Sequence, residues 1–267
     1  MYNILNSFLL SKYFDKLPKF IARKIFKIFK VFFVETDLKY LPENNHPTKI
    51  DEEEQEKIVE NINNQFYKPF STCSFLLETL SICSSYKKHF KLLDFGANNI
   101  DNYIYLNRYL KNWEYLYHDL PNYNEYVDKL AKEKKWINFR TIRNVSEIND
   151  QVEFAFFGSS VHYISDYKKT LDLLFKKKIS YLIFTHTPFF KSEKNFQDIV
   201  VKQVNIHPII NHAYLLNYDK FIRYLNENNY EIVSQNKNNF IKHLNFKNFK
   251  KFSFLSFLDI IFRYKEN

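Results

Sequence analysis

Glycine is nearly absent from this chain, since only Gly96 and Gly158 occur among its 267 residues. Although Ser159 and Ser160 follow Gly158, the spacing is not the Gly-x-Ser-x-Gly turn of a serine hydrolase. The chain instead has 29 Phe, 20 Tyr and runs of Lys, Asn and Ile, which is typical of a low-GC genome. Either codon usage or the loss of an activity would explain why the chain has so few glycines.

Cysteine is equally scarce. Cys73 and Cys83 lie ten positions apart in a predicted helix. Ten helical residues span about 15 Å, which is too far for a disulfide. We therefore expect two reduced, buried thiols in a cytoplasmic protein. Because CxxC and HxxxH spacings are also missing, we expect no metal site.

Long apolar segments are missing as well. No run approaches the 18 to 20 uncharged residues that would span a bilayer. The apolar start, MYNILNSFLL, has no preceding positive region and no small-residue cleavage site, so we expect no signal peptide. The length and the 45% hydrophobic content suit one α/β domain with extensions.

Positive charge is in excess, with a formal net charge of +9. Nucleic acid and anionic membranes both attract such a chain, but AT-rich lysine codons alone also produce this charge. The cations concentrate in Lys16 to Lys30 and in Lys242 to Lys265, which both read as basic amphipathic helices. Such helices either lie on an anionic membrane or pack on the domain with their lysines in water. Nucleic acid is disfavoured because the charge is terminal and no base-flipping motif is present.

The segment KLLDFGANNID, Lys91 to Asp101, carries the clearest signal of a binding site. An apolar strand ends at Asp94, Gly96 permits a tight turn, and a helix follows, as at nucleotide-type cofactor sites. The alternative is an ordinary strand-to-helix turn with a surface aspartate. Asp119 ends the next apolar strand, where a carboxylate is placed to accept both ribose hydroxyls of an adenosine.

Strands and helices alternate along the chain, which predicts a parallel sheet. The predicted strands are 91–95, 115–119, 137–142, 152–158, 180–185 and 230–234, with a last strand near 240–246, and the predicted helices are 51–63, 71–90, 167–178 and 218–228.

Four motifs in this order resemble class I S-adenosylmethionine (SAM) dependent methyltransferases. They are DFG at Asp94 to Gly96, DLP at Asp119 to Pro121, SVHYISD at Ser160 to Asp166 and THTPF at Thr185 to Phe189. The chain more closely resembles a family assigned to the methyltransferases and encoded among bacterial surface-polysaccharide genes. The resemblance implies an α/β, Rossmann-like class I methyltransferase sheet with a helical N-terminal cover, to which the residue pattern adds basic amphipathic termini.

The domain organisation follows from this comparison and from the charge pattern. We predict a basic N-terminal extension at 1–45, a helical cover at 46–90, the Rossmann-like methyltransferase domain at 91–246 and a basic amphipathic tail at 247–267.

SAM is the cofactor that the resemblance implies. The cofactor-binding candidates are Asp94, Gly96, Asn98, Asp119, Ser159 and Ser160. The family's loop has further glycines where this chain has Asn98 and Ile100; asparagine can adopt positive φ, whereas β-branched Ile100 does so only at a cost. Ser160 could instead simply cap a helix entry.

Methyl transfer to a hydroxyl also needs a general base. His162 and His186 are the candidates, because both follow the carboxyl ends of predicted strands, where ligands bind in open α/β sheets. Each could equally be a hydrogen-bonded loop residue.

Two functions from different classes remain open. The first is a cytoplasmic SAM-dependent methyltransferase that O-methylates a sugar or surface-polysaccharide precursor, with the termini touching an anionic membrane. The second is a catalytically silent methyltransferase-like domain that binds a membrane or a partner protein. Lost loop glycines and basic ends favour the second.

Overall fold

The structure is a computed structural model, and it describes residues 2–29, 31–42, 52–63, 71–85, 88–98, 100–149, 151–192, 197–204, 206, 209–238, 249, 252 and 254–266. Its helices are α1 (Tyr2–Leu10), α2 (Lys12–Asp15), α3 (Lys19–Phe29), α4 (Glu52–Asn63), α5 (Ser71–Cys83), α6 (Asp101–Leu106), α7 (Pro121–Glu133), α8 (Tyr167–Lys176) and α9 (Tyr218–Glu227). Its strands are β1 (Phe33–Glu35), β2 (Phe90–Phe95), β3 (Trp113–His118), β4 (Phe139–Thr141), β5 (Phe154–Gly158), β6 (Tyr181–Lys191), β7 (Ile199–Gln203), β8 (Asn211–Asn217), β9 (Tyr230–Lys237) and β10 (Phe254–Tyr264).

Seven strands form the central sheet in the order β4-β3-β2-β5-β6-β10-β9. Neighbouring strands from β4 to β6 pair in parallel, whereas β10 runs antiparallel to both β6 and β9. Alternate side chains of the parallel strands point to opposite faces: Leu92 packs in a cluster with α5, α6 and α7, and Leu93 packs in a cluster with α8 and α9. Apolar side chains therefore cover both faces, as parallel sheets require.

Strand β6 continues beyond the carboxyl edge of this sheet. Its first half pairs with β5, and Phe189 and Phe190 pair with β8. Strands β8, β7 and β1 then form an antiparallel extension. The sequence analysis did not predict these three strands: β1 pairs only with β7, which is far away along the chain, whereas β7 and β8 are neighbours in sequence that it left unassigned.

The N-terminal segment packs against this extension. Leu5, Leu9 and Phe14 are buried in a cluster that also includes Val204. The Lys202 ammonium donates to the Leu9 carbonyl at 3.0 Å and forms an ion pair with Asp15. The predicted helix within 16–30 is confirmed as α3, and its inner face packs through Ala22, which is 1% exposed.

The C-terminal tail corrects the sequence prediction. Within the segment that we read as a basic amphipathic helix, Phe254–Tyr264 form β10, which lies between β6 and β9. Ile260 and Phe262 are fully buried, so the described part of this segment is not a surface helix. The predicted last strand near 240–246 lies outside the described residues.

The remaining predicted elements agree closely with the structure. The helices near 51–63, 167–178 and 218–228 and four of the five parallel strands occur within a few residues of their predicted ends, whereas β6 continues to Lys191, beyond its predicted end at 185. The helix that begins at Ser71 ends earlier than expected, at Cys83. Within the described residues, no helix is both long enough and apolar enough to cross a bilayer.

Candidate cofactor and acceptor site

The site candidates lie at the carboxyl edge of the parallel strands. The chain leaves β2 toward β3 on one side and reaches β5 on the other, so β2 and β5 flank the switch point of the sheet. Ligands of open α/β sheets bind in the crevice at such a point. Gly96 follows β2 and Ser159 follows β5, which brings two of the predicted cofactor-binding segments together there.

Gly96 and Ser160 are in close contact across this point. Gly96 has φ of +69°, and a Cβ at this position would lie 2.6 Å from the Cβ of Ser160. The Ser160 hydroxyl donates to the Phe95 carbonyl at 2.6 Å and makes no helix-capping bond. Only glycine therefore fits at Gly96, and Ser160 joins the ends of β2 and β5 instead of capping a helix.

The turn after Gly96 keeps a glycine-like backbone at Asn98. Asn98 has φ of +56°. Its backbone N–H donates to the Asp119 carboxylate, and its carbonyl accepts from the Tyr117 hydroxyl at 3.0 Å. The strain expected at Ile100 does not occur, because Ile100 has φ of −97° and is fully buried.

Hydrogen bonds with Leu120 and Asn124 hold Asp119 in place. Its Oδ1 accepts from the Leu120 N–H at 2.6 Å. The Asn124 side chain accepts from the Asp119 N–H at 2.9 Å and donates to the Asp119 carbonyl at 3.0 Å. These bonds fix Asp119 at the carboxyl end of β3.

Asp94 is buried beside them. Its Oδ2 accepts from Tyr115 at 2.5 Å and from Asn102 at 2.7 Å, while its fully buried Oδ1 has no hydrogen-bond partner. Burial raises the pKa of Asp94 to about 6, the two donors oppose this rise, and the negative charge of Asp119 adds to it. Ionising a buried carboxyl that has one unpartnered oxygen costs free energy, because the charged form is no longer solvated by water.

The two histidine candidates lie on the β5 and β6 side of the edge. His162 is 1% exposed, its ring lies 4.2 Å from the ring of Tyr163, and its Nδ1 has no hydrogen-bond partner. Burial first, and the nearby His186 second, lower the pKa of His162 to about 3. His162 is therefore neutral at physiological pH and holds a proton poorly.

His186 has a different environment. Its backbone has φ of +48°, and its N–H donates to Asp259 Oδ1 at 2.8 Å. Burial lowers the pKa of His186, whereas the charge of Asp259 and a side-chain hydrogen bond with Asn238 raise it. The preceding residue, Thr185, accepts at its carbonyl from the Ser159 N–H at 3.0 Å, which connects His186 to the Ser159 turn.

Sequence reasoning missed Asp259 and Asn238. Both lie in the segment that we read as tail or left unassigned, and only the pairing of β10 with β6 brings Asp259 to the site. It also missed the link to the antiparallel extension, where the Tyr163 hydroxyl donates to Gln203 at 2.7 Å.

These residues fit a cofactor of the kind that the sequence suggested. A positive-φ turn exposes the Asn98 backbone, and the Asp119 carboxylate lies directly against that turn. Asp94 and Asp119 give this end of the sheet negative charge, which suits a ligand with a sulfonium cation. Among the described residues, no group of three His, Cys, Asp or Glu could hold a metal ion.

Comparisons with known proteins show similarity in fold, but not in sequence. No protein-family profile and no curated protein sequence matches the chain. Solved structures do match it. One is the Burkholderia thailandensis 1,6-didemethyltoxoflavin-N1-methyltransferase, with bound 1,6-didemethyltoxoflavin and S-adenosylhomocysteine (SAH): it has a TM-score of 0.50 and 13% identity, over 88% of this chain and 95% of that one.

Two further solved structures match the chain with similar TM-scores. The N-terminal domain of EvdMO1, in the presence of SAH and D-fucose, has a TM-score of 0.51 and 9% identity, over 82% of this chain and all of that one. The [4+2]-cyclase SpnF has a TM-score of 0.53 and 8% identity, over 86% of this chain and all of that one. Since a cyclase also has this fold, the fold alone does not identify a reaction. The chain has the Rossmann-like fold of class I SAM-dependent methyltransferases.

Proposed function

We propose that this protein is a SAM-dependent methyltransferase that methylates a hydroxyl of a sugar or a related surface-polysaccharide precursor. One observation carries the cofactor part of the proposal: the Asp119 carboxylate lies against the Gly96 to Asn98 turn and binds the Asn98 N–H. In a strand-turn-helix unit, this is the geometry that receives an adenosine ribose at the end of the second strand.

The cofactor residues then have separate tasks. Asp119 would accept the ribose hydroxyls, and the turn from Gly96 to Asn98 would lie under the amino-acid part of SAM. Ser159 and Ser160 would line the methyl-donor end, with Asp94 supplying negative charge behind them. When bound, the cofactor supplies an electrophilic methyl group on a positively charged sulfur.

The chain itself must supply a base for the acceptor hydroxyl. A base works best when its pKa lies near the working pH. His186 suits this task better than His162, because Asp259 and Asn238 raise the pKa of His186 against burial, while burial lowers that of His162 to about 3. We assign proton acceptance to His186 and a packing or acceptor-shaping role to His162.

Two similarities support a sugar as the methyl acceptor. EvdMO1, which has the same fold, was crystallised with SAH and D-fucose. The sequence resemblance to proteins encoded among surface-polysaccharide genes points to the same class of substrate. A sugar hydroxyl also requires the base that His186 would provide.

A transfer assay tests the proposal. The full-length protein is incubated with methyl-labelled SAM and a panel of free sugars and nucleotide sugars that includes D-fucose. We expect label in at least one sugar, together with SAH in equal amount. The His186→Asn variant is the control, since asparagine tolerates positive φ but does not accept a proton at this pH.

The silent-domain alternative is an outcome of the same assay. A protein that binds SAH but labels no sugar in the panel would favour that alternative. A protein that neither binds SAH nor transfers methyl groups would reject the cofactor assignment as well.

We further propose a cytoplasmic, membrane-peripheral location through the outer face of α3. Arg23, Lys24 and Lys27 are exposed there, beside Phe20 and Ile28, which are 64% and 72% exposed. Cations attract the protein to anionic lipid, and the neighbouring apolar side chains can insert. The C-terminal segment takes no part in this proposal, since β10 is inside the sheet.

A further inference from the structure

The pairing of β6 with β10 is interrupted at His186. Thr187 pairs with Leu258 and Phe184 pairs with Ile260, so Thr185 and His186 together lie opposite Asp259. This is a β-bulge, and His186 is its residue with positive φ. Glycine or asparagine would adopt that backbone with less strain than histidine. Because backbone strain tends to persist where a side chain has a task, this bulge points to a role for the imidazole.

Asp259 holds the bulge through two neighbours. Its Oδ1 accepts from the His186 N–H at 2.8 Å. Both of its oxygens also accept from the Asn238 Nδ2, at 2.9 and 2.8 Å. Asn238 is fixed in turn, because its backbone N–H donates to the Phe257 carbonyl at 2.9 Å.

These bonds determine which way the Asn238 amide faces. An ionised carboxylate only accepts hydrogen bonds, so the Asn238 amino group must face Asp259 and its Oδ1 must face away. The Asn238 side chain also hydrogen-bonds the His186 imidazole, and because the buried Nε2 makes no hydrogen bond, this contact is at Nδ1. Since Oδ1 only accepts, the ring nitrogen at that contact must carry the proton. The other nitrogen of the neutral ring is then an acceptor.

We propose that Asp259 and Asn238 are positioning residues that hold His186 as a neutral imidazole in one tautomer, ready to take the proton of the acceptor hydroxyl. This inference rests on the proposed function. As the hydroxyl oxygen forms its bond to the methyl carbon, the carbon–sulfur bond breaks and leaves its electron pair on sulfur. The hydroxyl proton goes to the acceptor nitrogen of His186.

The electrostatic surroundings agree with this role. Within the described parts of the chain, the titratable groups acting on His186 are Asp259 of β10 and His162 of the turn after β5. His162 is neutral, so the charge of Asp259 is the one that favours protonation of His186. Removing that charge should lower the pKa of His186.

Nitrogen NMR of the full chain tests the arrangement without turnover. In ¹⁵N-labelled protein, His186 is assigned by the signal that His186→Asn removes. We expect one tautomer in the wild type, and a mixture of tautomers with a lower pKa in Asp259→Asn. Asn238→Ala is the second variant, in case Asp259→Asn folds poorly, and it should also release the tautomer. An unchanged tautomer in a folded variant of either kind would overturn the proposal.

Kinetics give the second readout. Asp259→Asn should lower kcat by roughly tenfold or more with little change in KM or SAH affinity, and should move the acidic limb of the pH–rate profile to lower pH. A parallel loss of kcat, SAH affinity and folding would mean a structural role only, and would overturn the proposal. If the wild type transfers no methyl group, the proposed function fails while the NMR result still decides the tautomer.

Discussion

Asp94 is a carboxyl whose ionisation the fold opposes, because it is fully buried and one of its oxygens has no hydrogen-bond partner. Its pKa rises from the ordinary value of 3.8 to about 6. The folded protein therefore binds the Asp94 proton more tightly than the unfolded chain does. By linkage, stability falls as pH rises from about 4 to about 6, and the full penalty is present above pH 6.

Replacing this carboxyl tests that sign. Asp94→Asn keeps an acceptor for Tyr115 and Asn102 but cannot ionise. We expect it to remove a penalty of about 3 kcal/mol at pH 7, and to flatten the free energy of unfolding between pH 4 and 6.5. Urea denaturation across this range measures the effect. A steeper pH dependence in Asp94→Asn than in the wild type would show that the assigned direction is wrong.

The sequence alone identified some residues of the candidate site. Asp94, Gly96 and Asp119 could be found because they lie at the carboxyl ends of β2 and β3, and the local residue pattern shows where strands end. Asp259 could not be found in this way. It lies 73 positions from His186, and a bulge sets its register, so only the folded sheet reveals their contact.

Among the secondary-structure elements, β10 shows where pattern reading fails. Its sequence, FLSFLDIIFRY, has apolar residues at nearly every position, and a short buried strand and a buried helix segment cannot be told apart on that basis. The lysines before it favoured a surface helix. Both faces of β10 are packed, with Ile260 and Phe262 in one hydrophobic cluster and Ile261 in another, which explains the continuous apolar run.

Helix α3 carries the prediction for membrane contact. Truncation of the N-terminal segment would remove Leu5, Leu9 and Phe14 from their cluster, so point variants are the better test. We expect the triple change of Arg23, Lys24 and Lys27 to Glu to weaken binding to anionic vesicles, since each cation near the surface contributes about 1 kcal/mol.

A matched triple change serves as the control. Lys129, Lys169 and Arg223 are exposed on α7, α8 and α9, and their replacement by Glu alters net charge by the same amount. We expect this second variant to keep most of the vesicle binding in co-sedimentation at low salt. Equal losses in both variants would indicate a dependence on net charge alone, and no binding by the wild type would rule out the membrane role.

For the whole molecule, alternation of strands and helices was enough to predict a parallel α/β sheet, and the structure and its solved neighbours confirm it. The antiparallel extension of β1, β7 and β8 was not predicted: β1 pairs with a strand far away along the chain, and β7 and β8, although neighbours in sequence, were left unassigned. Methyl transfer itself stays a proposal, since a cyclase has the same fold.

Calorimetric titration of the purified full-length protein with SAH tests the central claim most directly. We predict saturable binding that Asp119→Ala weakens by roughly 1.5 to 3 kcal/mol, about tenfold to a hundredfold, through loss of charge-assisted hydrogen bonds. Asp219→Ala, which removes an equal charge at an exposed position on α9, should bind SAH like the wild type. Thermal unfolding verifies that each variant is folded. A folded wild type that gives no binding heat at millimolar SAH, or a folded Asp119→Ala with unchanged affinity, would contradict the account.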